Sequence, residues 1–487
     1  MQYKWRALIA VAFGTYMGTM DFSIVNVALP TLSEVFDRPP DTVVWVALIA
    51  ALVATGLTMV AGRAGDLYGR KRLYLVGWVI FGVGLILASL ANTIELLLAF
   101  RALQAVGVAM VVANGNAIVT EAFPDNERGR ALGIVGSVVG AGLMTGPIVG
   151  GILLGIGDWR ALFWMRVPIV FIALFLAVTL IREQRGDHVV RKLDIPGSVT
   201  MFAFLSLTLL AINRGQAWGW TSPTIVTLLV VGFVSLVAFI RIELRTESPV
   251  LSLALFRVRS FSVAVASLVI SFLGQSATLF LVPFYLVQVR GYSTVQMGLI
   301  LSTVPSMMLL LSSFSGQVAD RYGFRYQTTL GIAIVATGMF SMTTLDAGTT
   351  APWIMVRLAL MGIGSAIFMS PNSSEVMGSV PRSMLGTASA TLASGRNIGT
   401  SVGLAIAGAV LVTVASNSAG LTDVQNTRSL PPAALMDGIR AAFLVASSLT
   451  TLAVFVSLLR PATIVAQARE AATSTPPASP VGAAEGE

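Results

Sequence analysis

The feature that most constrains this chain is a run of about 20 apolar residues with scarcely a charge, enough to cross a hydrocarbon layer about 30 Å thick as one helix, repeated from end to end. Reading for such runs gives fourteen, near 7–29, 43–62, 73–91, 95–119, 131–154, 161–181, 195–212, 222–241, 261–288, 296–318, 326–345, 351–371, 384–413 and 439–459. A soluble core cannot absorb them. Of the 487 residues 55% are hydrophobic and 11% charged, whereas soluble domains carry roughly 25% charged residues. The expected fold is an all-α polytopic membrane protein with 14 transmembrane helices. The first run follows Lys4 and Arg6 but is too long for a signal peptide and carries Asp21, so it reads as an uncleaved first span.

Several function classes fall away. There is no cysteine, hence no disulfide and no thiolate metal site. The single histidine, His188, lies in a polar segment and reads as a solvated loop residue. None of the three lysines, Lys4, Lys71 and Lys192, follows a glycine, so the chain has no GxxxxGK[ST] phosphate loop. With no catalytic triad or metal cluster visible, no enzyme, cofactor or metal is expected. The net charge of +8 is scattered between apolar runs and not gathered on one face, which argues against nucleic acid and for orientation in a bilayer. Of the 31 Lys and Arg, 21 fall in the loops of one side and 6 in those of the other. The excess marks the cytoplasmic side and places both termini there. The tail 461–487, rich in Ala, Ser, Thr, Pro and Glu, reads as disordered, and 414–438 as the largest external loop. The eight tryptophans fall mostly near span ends and read as interfacial belts.

The sequence also repeats itself. Residues 62–71, GRAGDLYGRK, match 316–325, GQVADRYGFR, so that Asp66 aligns with Asp320 and Gly69 with Gly323. Arg101 aligns in the same way with Arg357, and Asp21 with Gln275. The implied organisation is a six-helix bundle (1–181), an inserted helix pair (182–245), a second six-helix bundle (246–460) and the tail. Such repeats build transporters, with the substrate site between the halves near the midplane.

Four segments carry chemistry. Met20 to Pro30, MDFSIVNVALP, puts Asp21 deep in the first helix. A charge there costs roughly 2.5–3.5 kcal/mol on insertion scales, so it faces the bundle interior, either as a titrating group or as half of a structural pair. The loop Gly62 to Arg72 combines Gly62, Asp66, Gly69 and Arg70. Asp66 can meet a helix N-terminus or an arginine. In RALQAVG, Arg101 and Gln104 share one helix face, and Asp21 or a nearby carbonyl is the expected partner of Arg101. In the fifth run, Gly142, Gly146 and Gly150 recur every four residues as a flat packing face, with Pro147 and Gly151 beside them.

Taken in order, these segments resemble the major facilitator superfamily and, within it, the fourteen-helix drug:proton antiporter family that includes EmrB and QacA. The resemblance covers nearly the whole chain except the tail. It matches the first-helix signature LDxTIVNVALP with Ser23 for Thr, GxLaDrxGrkr with Leu67 for Arg, RxxQGxG with Ala105 for Gly, and the antiporter motif gxxxGPxxGG. Trp159 to Pro168 matches WRwiFxiNvP with Arg166 for Asn. Two readings of Arg166 stay open: it snorkels to the interface, or it faces the pathway and disfavours cations.

The resemblance implies a proton-coupled antiporter in a bacterial inner membrane, acting as a monomer, that exports small lipophilic or drug-like molecules by alternating access. Asp21 and Arg101 would couple to protons. Gly62, Asp66, Gly69, Arg70, Arg130 and Asp320 would form the gate, with Arg130 a candidate partner for Asp66, and the Gly146-Pro147-x-x-Gly150-Gly151 run would mark an exporter. Asn26, Gln104, Gln275 and Arg396 are candidates for the substrate pathway, while the roles of Arg357 and Glu375 stay open. An exporter or flippase of lipids or cell-envelope intermediates is the alternative.

Overall fold

The computed structural model describes residues 2–38, 40–156, 158–183, 193–246, 249–419 and 431–461. Among them there are helices and no strands. The long helices are α1 (Tyr3–Val35), α2 (Trp45–Tyr68), α3 (Arg70–Ser89), α4 (Ile94–Ala122), α5 (Arg128–Ile156), α6 (Val167–Leu180), α7 (Ile195–Trp218), α8 (Pro223–Glu243), α9 (Arg259–Phe284), α10 (Thr303–Tyr322), α11 (Arg325–Met342), α12 (Ala351–Gly378), α13 (Leu385–Ala419) and α14 (Pro432–Leu458).

Among the described residues, thirteen helical segments are long and apolar enough to cross a membrane. The run read at 326–345 is helix α11, but its first turns carry Arg325, Gln327, Thr328 and Thr329, and it falls outside the thirteen. Two spans are broken. A short turn, Ala161–Trp164, precedes α6, and Thr294–Leu301 precedes α10. Helix α14 starts at Pro432, seven residues before the run read from the sequence, so it takes in residues 432–438 of the stretch read as external loop. His188 and the tail from 462 lie outside the described residues.

Local chemistry sets the ends. Side-chain oxygens of Thr93, Asp194 and Ser222 accept from backbone N–H groups in the first turns of α4, α7 and α8, replacing bonds those donors lack within the helix. Between α2 and α3, and again between α10 and α11, one glycine makes the turn. Gly69 has φ 102° and Gly323 φ 89°, a region that L side chains rarely adopt.

Within the first six helices, α3 packs on α4, α1 on α5 and α2 on α4; within the last six, α11 packs on α12, α9 on α13 and α9 on α14. The contacts that join these sets repeat the sequence symmetry. Helix α5 lies along α10, and α2 along α13. The pair α7–α8 packs together, and α7 leans on both α2 and α13.

Two tryptophans depart from the belt reading. Trp78 and Trp159 are buried, packed edge to face against Tyr74 and Phe81 and against Phe36 and Phe163. Indoles fill interhelical space as readily as they sit at an interface. Trp164, Trp218, Trp220 and Trp353 are exposed.

Candidate functional site

Asp21 sits in the middle of α1 and is buried. Helix α4 presents Arg101 and Gln104 from the same face. Arg101 Nη1 donates to Asp21 Oδ2 at 3.2 Å and to Gln104 Oε1 at 2.5 Å, and Gln104 Nε2 donates to Asp21 Oδ1 at 3.0 Å. Arg101 Nε also donates to the Val46 carbonyl of α2 at 3.3 Å, so both partners expected for this arginine are present.

The sequence did not disclose the third member. Arg166, just before α6, is almost wholly buried and pairs directly with Asp21, while its Nε donates to Leu162 O at 2.6 Å. It does not snorkel to the interface. One carboxylate thus holds two guanidinium groups in a buried site, leaving a formal excess of one positive charge. In a medium of low dielectric constant that excess is felt strongly.

The two loop motifs form matching clasps. Asp66 accepts from the backbone N–H groups of Gly386 at 2.8 Å and Thr387 at 2.9 Å, the first turn of α13, and from the Thr387 hydroxyl at 3.0 Å. Asp320 accepts from Gly129 at 2.7 Å and Arg130 at 2.8 Å, the first turn of α5. Each carboxylate therefore caps a helix of the other set of six, where unpaired N–H groups and the helix dipole favour a negative charge. Arg130 serves Asp320 through its backbone and is not the partner of Asp66. Its guanidinium lies 5.1 Å from the Trp5 ring. Asp66 has Arg70 instead, at 2.8 Å, and Arg70 continues to Glu121 at 2.6 Å and to the Arg382 carbonyl.

Close backbone approach makes the clasps possible. A Cβ on Gly62 would overlap Gly386 and Ala390, and one on Gly129 would overlap Asp320 and Gly316. Further along α5, Gly142 and Gly146 lie against Thr19 and Ser23 of α1, and Ser23 Oγ donates to Gly142 O at 3.3 Å. Helix α5 runs on through Pro147. Gly150 is buried, whereas nothing lies within 4 Å of a Cβ built on Gly151.

The second six helices differ. At the position matching Asp21, Gln275 Nε2 donates to Ser271 Oγ at 2.8 Å and Gln275 Oε1 accepts from Ser365 Oγ at 2.7 Å. Arg357 Nη1 is buried with no hydrogen-bond partner. Arg396 of α13 is half-buried, with its guanidinium 6.0 Å from the Phe272 ring. Neither arginine meets Glu375. That role belongs to Arg460, just past α14, which donates to Glu375 at 2.5 Å, Asn372 at 2.5 Å and Thr328 at 2.7 Å. Burial lowers the pKa of the Arg460 guanidinium and Glu375 offsets part of that. The side chain of Asn26 lies outside the described residues.

Apolar helices around a buried ion-paired carboxylate, closed on one face by two symmetric clasps, define a multi-pass membrane transporter. The description of the Major Facilitator Superfamily matches residues 11–404, and the chain belongs to that family. It is 34% identical to the riboflavin transporter RibZ of Clostridioides difficile (strain 630), across 83% of this chain and 88% of that one. It is 31% identical to the multidrug resistance protein Stp of Mycobacterium tuberculosis (strain H37Rv), across 83% and 75%. The tetracenomycin C resistance and export protein of Streptomyces glaucescens is 26% identical across 90% and 85%. In fold, the chain superposes on a double-Trp mutant of XylE with TM-score 0.67 at 15% identity, covering 95% of this chain and 96% of that one. The human organic anion transporter MFSD10 superposes with TM-score 0.65 at 14% identity, across 93% and 99%.

Proposed function

We propose that the chain is a fourteen-helix, proton-coupled antiporter of the EmrB and QacA kind that exports small lipophilic molecules across a bacterial inner membrane. The observation that carries the reading is Asp21. It is the one carboxylate held in the middle of a described membrane helix, and it is tied to two arginines from other helices. The export direction draws on the Gly146-Pro147-x-x-Gly150-Gly151 run and on relatives named for drug resistance and export.

In this reading the terminal face is cytoplasmic and α1–α6 rock against α9–α14. With the clasps closed, the pathway faces outward. A proton reaching Asp21 from outside neutralises the carboxylate, competes with substrate for the central cavity and drives its release. When the pathway turns inward, loss of the proton restores the ion pairs and favours substrate binding. The working unit is a monomer. Riboflavin-like heterocycles are a second substrate reading, favoured by the 34% identity to a riboflavin transporter.

The test uses everted membrane vesicles with an inside-acid gradient. Lipophilic cations, neutral antibiotics, anionic drugs, riboflavin and a lipid are added in turn, and proton leakage is recorded. A compound that dissipates the gradient in wild type, but at least tenfold less in Asp21→Asn, supports coupled export through Asp21. No response above an empty-vector control overturns it.

A further inference from the structure

Arg396 takes no part in that proton cycle, and nothing among the described residues balances its charge. Among the described residues it has no ion pair and no hydrogen bond, only the ring of Phe272. An arginine in mid-span costs roughly 2.5–3.5 kcal/mol on insertion scales and is kept where it has a partner or a task. The described residues offer it no carboxylate. Asp21 is committed to Arg101 and Arg166, and the other described acidic residues in the long helices lie close to helix ends.

The rotation of α13 shows where Arg396 looks. Gly395 and Gly399 lie against Val269 and Phe272 of α9. Asn397 donates to Thr55 Oγ1 of α2 at 2.8 Å. Ile398 packs on the cluster shared by α2, α4 and α7. At about 100° per residue, Arg396 falls between the edge on α9 and the edge on α2, on the side away from Ile398. It is therefore directed between the two sets of six helices. On α9, one turn on from Phe272, the polar group is Gln275, which is neutral and tied to Ser271 and Ser365, and in the first set of helices Asp21 with Arg101 and Arg166 leaves an excess positive charge.

We propose that Arg396 is the anion-recognition residue of the transport pathway and that the substrate is an apolar organic molecule bearing an oxyanion, a carboxylate or a phosphoryl group. A guanidinium takes either group through two parallel charge-assisted bonds, and Phe272 beside it offers an apolar face to the substrate body. The inference rests on the central pathway proposed above and narrows what enters it.

Two xanthene dyes of opposite charge test it, fluorescein as anion and rhodamine 123 as cation, by equilibrium binding to the full chain purified in detergent. Wild type is expected to hold fluorescein at least tenfold more tightly than rhodamine 123. R396Q should lose that preference, R396K should keep part of it, and R396Q should melt no lower than wild type. Competition by benzoate or by phosphatidylglycerol then shows whether the natural oxyanion belongs to a solute or a lipid. Equal binding of the two dyes, no binding of either, unchanged fluorescein affinity in R396Q, or a lowered melting temperature in R396Q overturns the proposal. Binding with this pattern but no gradient-driven export in vesicles would sink the antiporter reading alone.

Discussion

The two sets of six helices share a plan and divide its chemistry. Both close the terminal face with an aspartate on the first turn of a helix from the other set. In their centres they part: the first holds Asp21 between Arg101 and Arg166, while the second has Gln275 between two serines and an arginine without a counter-ion. In the proposed cycle the clasps are the mechanical parts and gain from symmetry, because a two-sided closure must fit at both ends. The charge relay proposed at Asp21 gains nothing from being doubled. One half can carry the ion chemistry while the other presents hydrogen bonds and a free cation to a ligand.

The sharpest way to break this comparison is Asp21→Asn. It leaves two guanidinium groups buried without a counter-ion, and breaking a buried pair costs about 3–5 kcal/mol. A large fall in melting temperature in detergent is expected, with partial recovery in the double variant Asp21→Asn/Arg166→Gln, where one orphaned charge is removed. If the double variant melts no higher than the single one, Arg166 is not held by Asp21. Next in size is Glu375→Gln. Arg460 keeps Asn372 and Thr328 but loses a charged partner, a loss of about 1.5–3 kcal/mol. It should lower the melting temperature measurably. An unchanged melting curve would show that the second half carries no structural ion pair of weight.

How far the sequence discloses this follows from what each contact depends on. Asp21, Arg101 and Gln104 could be grouped because Arg101 and Gln104 are three apart on one helix, and because a mid-span arginine needs an acceptor. The capping role of Asp66 was open to inference, since carboxylates suit helix N-termini, but the choice between Arg130 and Arg70 was not. Arg166 to Asp21 and Arg460 to Glu375 were hidden for the same reason. They join helices far apart in the chain, and which residues meet depends on each helix's rotation about its axis. In a soluble bundle the apolar stripe reveals that rotation. Here lipid-facing and core-facing residues are both apolar, and the stripe fades. The same blurring let buried Trp78 and Trp159 pass for interfacial residues and hid the true start of α14.

The clasps give a comparison of moderate size. Removing a capping side chain costs about 0.5–2 kcal/mol, and Asp66 also holds Arg70, which ties in Glu121 and Arg382. Asp66→Asn should therefore loosen the closed face more than Asp320→Asn does. Because the chain has no cysteine, single-cysteine labelling has no background. Ser389 and Ser370 are both buried and each reaches across to the other set of helices, to Val112 O at 3.4 Å and Gly129 O at 2.8 Å. Maleimide labelling of Ser389→Cys should accelerate severalfold in Asp66→Asn, and that of Ser370→Cys by less in Asp320→Asn. Equal acceleration would mean that Arg70 adds nothing to the clasp.

The smallest effect belongs to Gln275, and its smallness is informative. Truncation to Ala removes two neutral hydrogen bonds, each with a net contribution of about 1 kcal/mol or less, and leaves no charge stranded. Melting should shift slightly, and proton leakage in everted vesicles on adding a transported compound should stay near wild type, since Gln275 cannot titrate. If Gln275→Ala instead abolished leakage as Asp21→Asn is expected to, coupling would have to pass through both halves, and the division of labour drawn from Asp21 and Gln275 would fail.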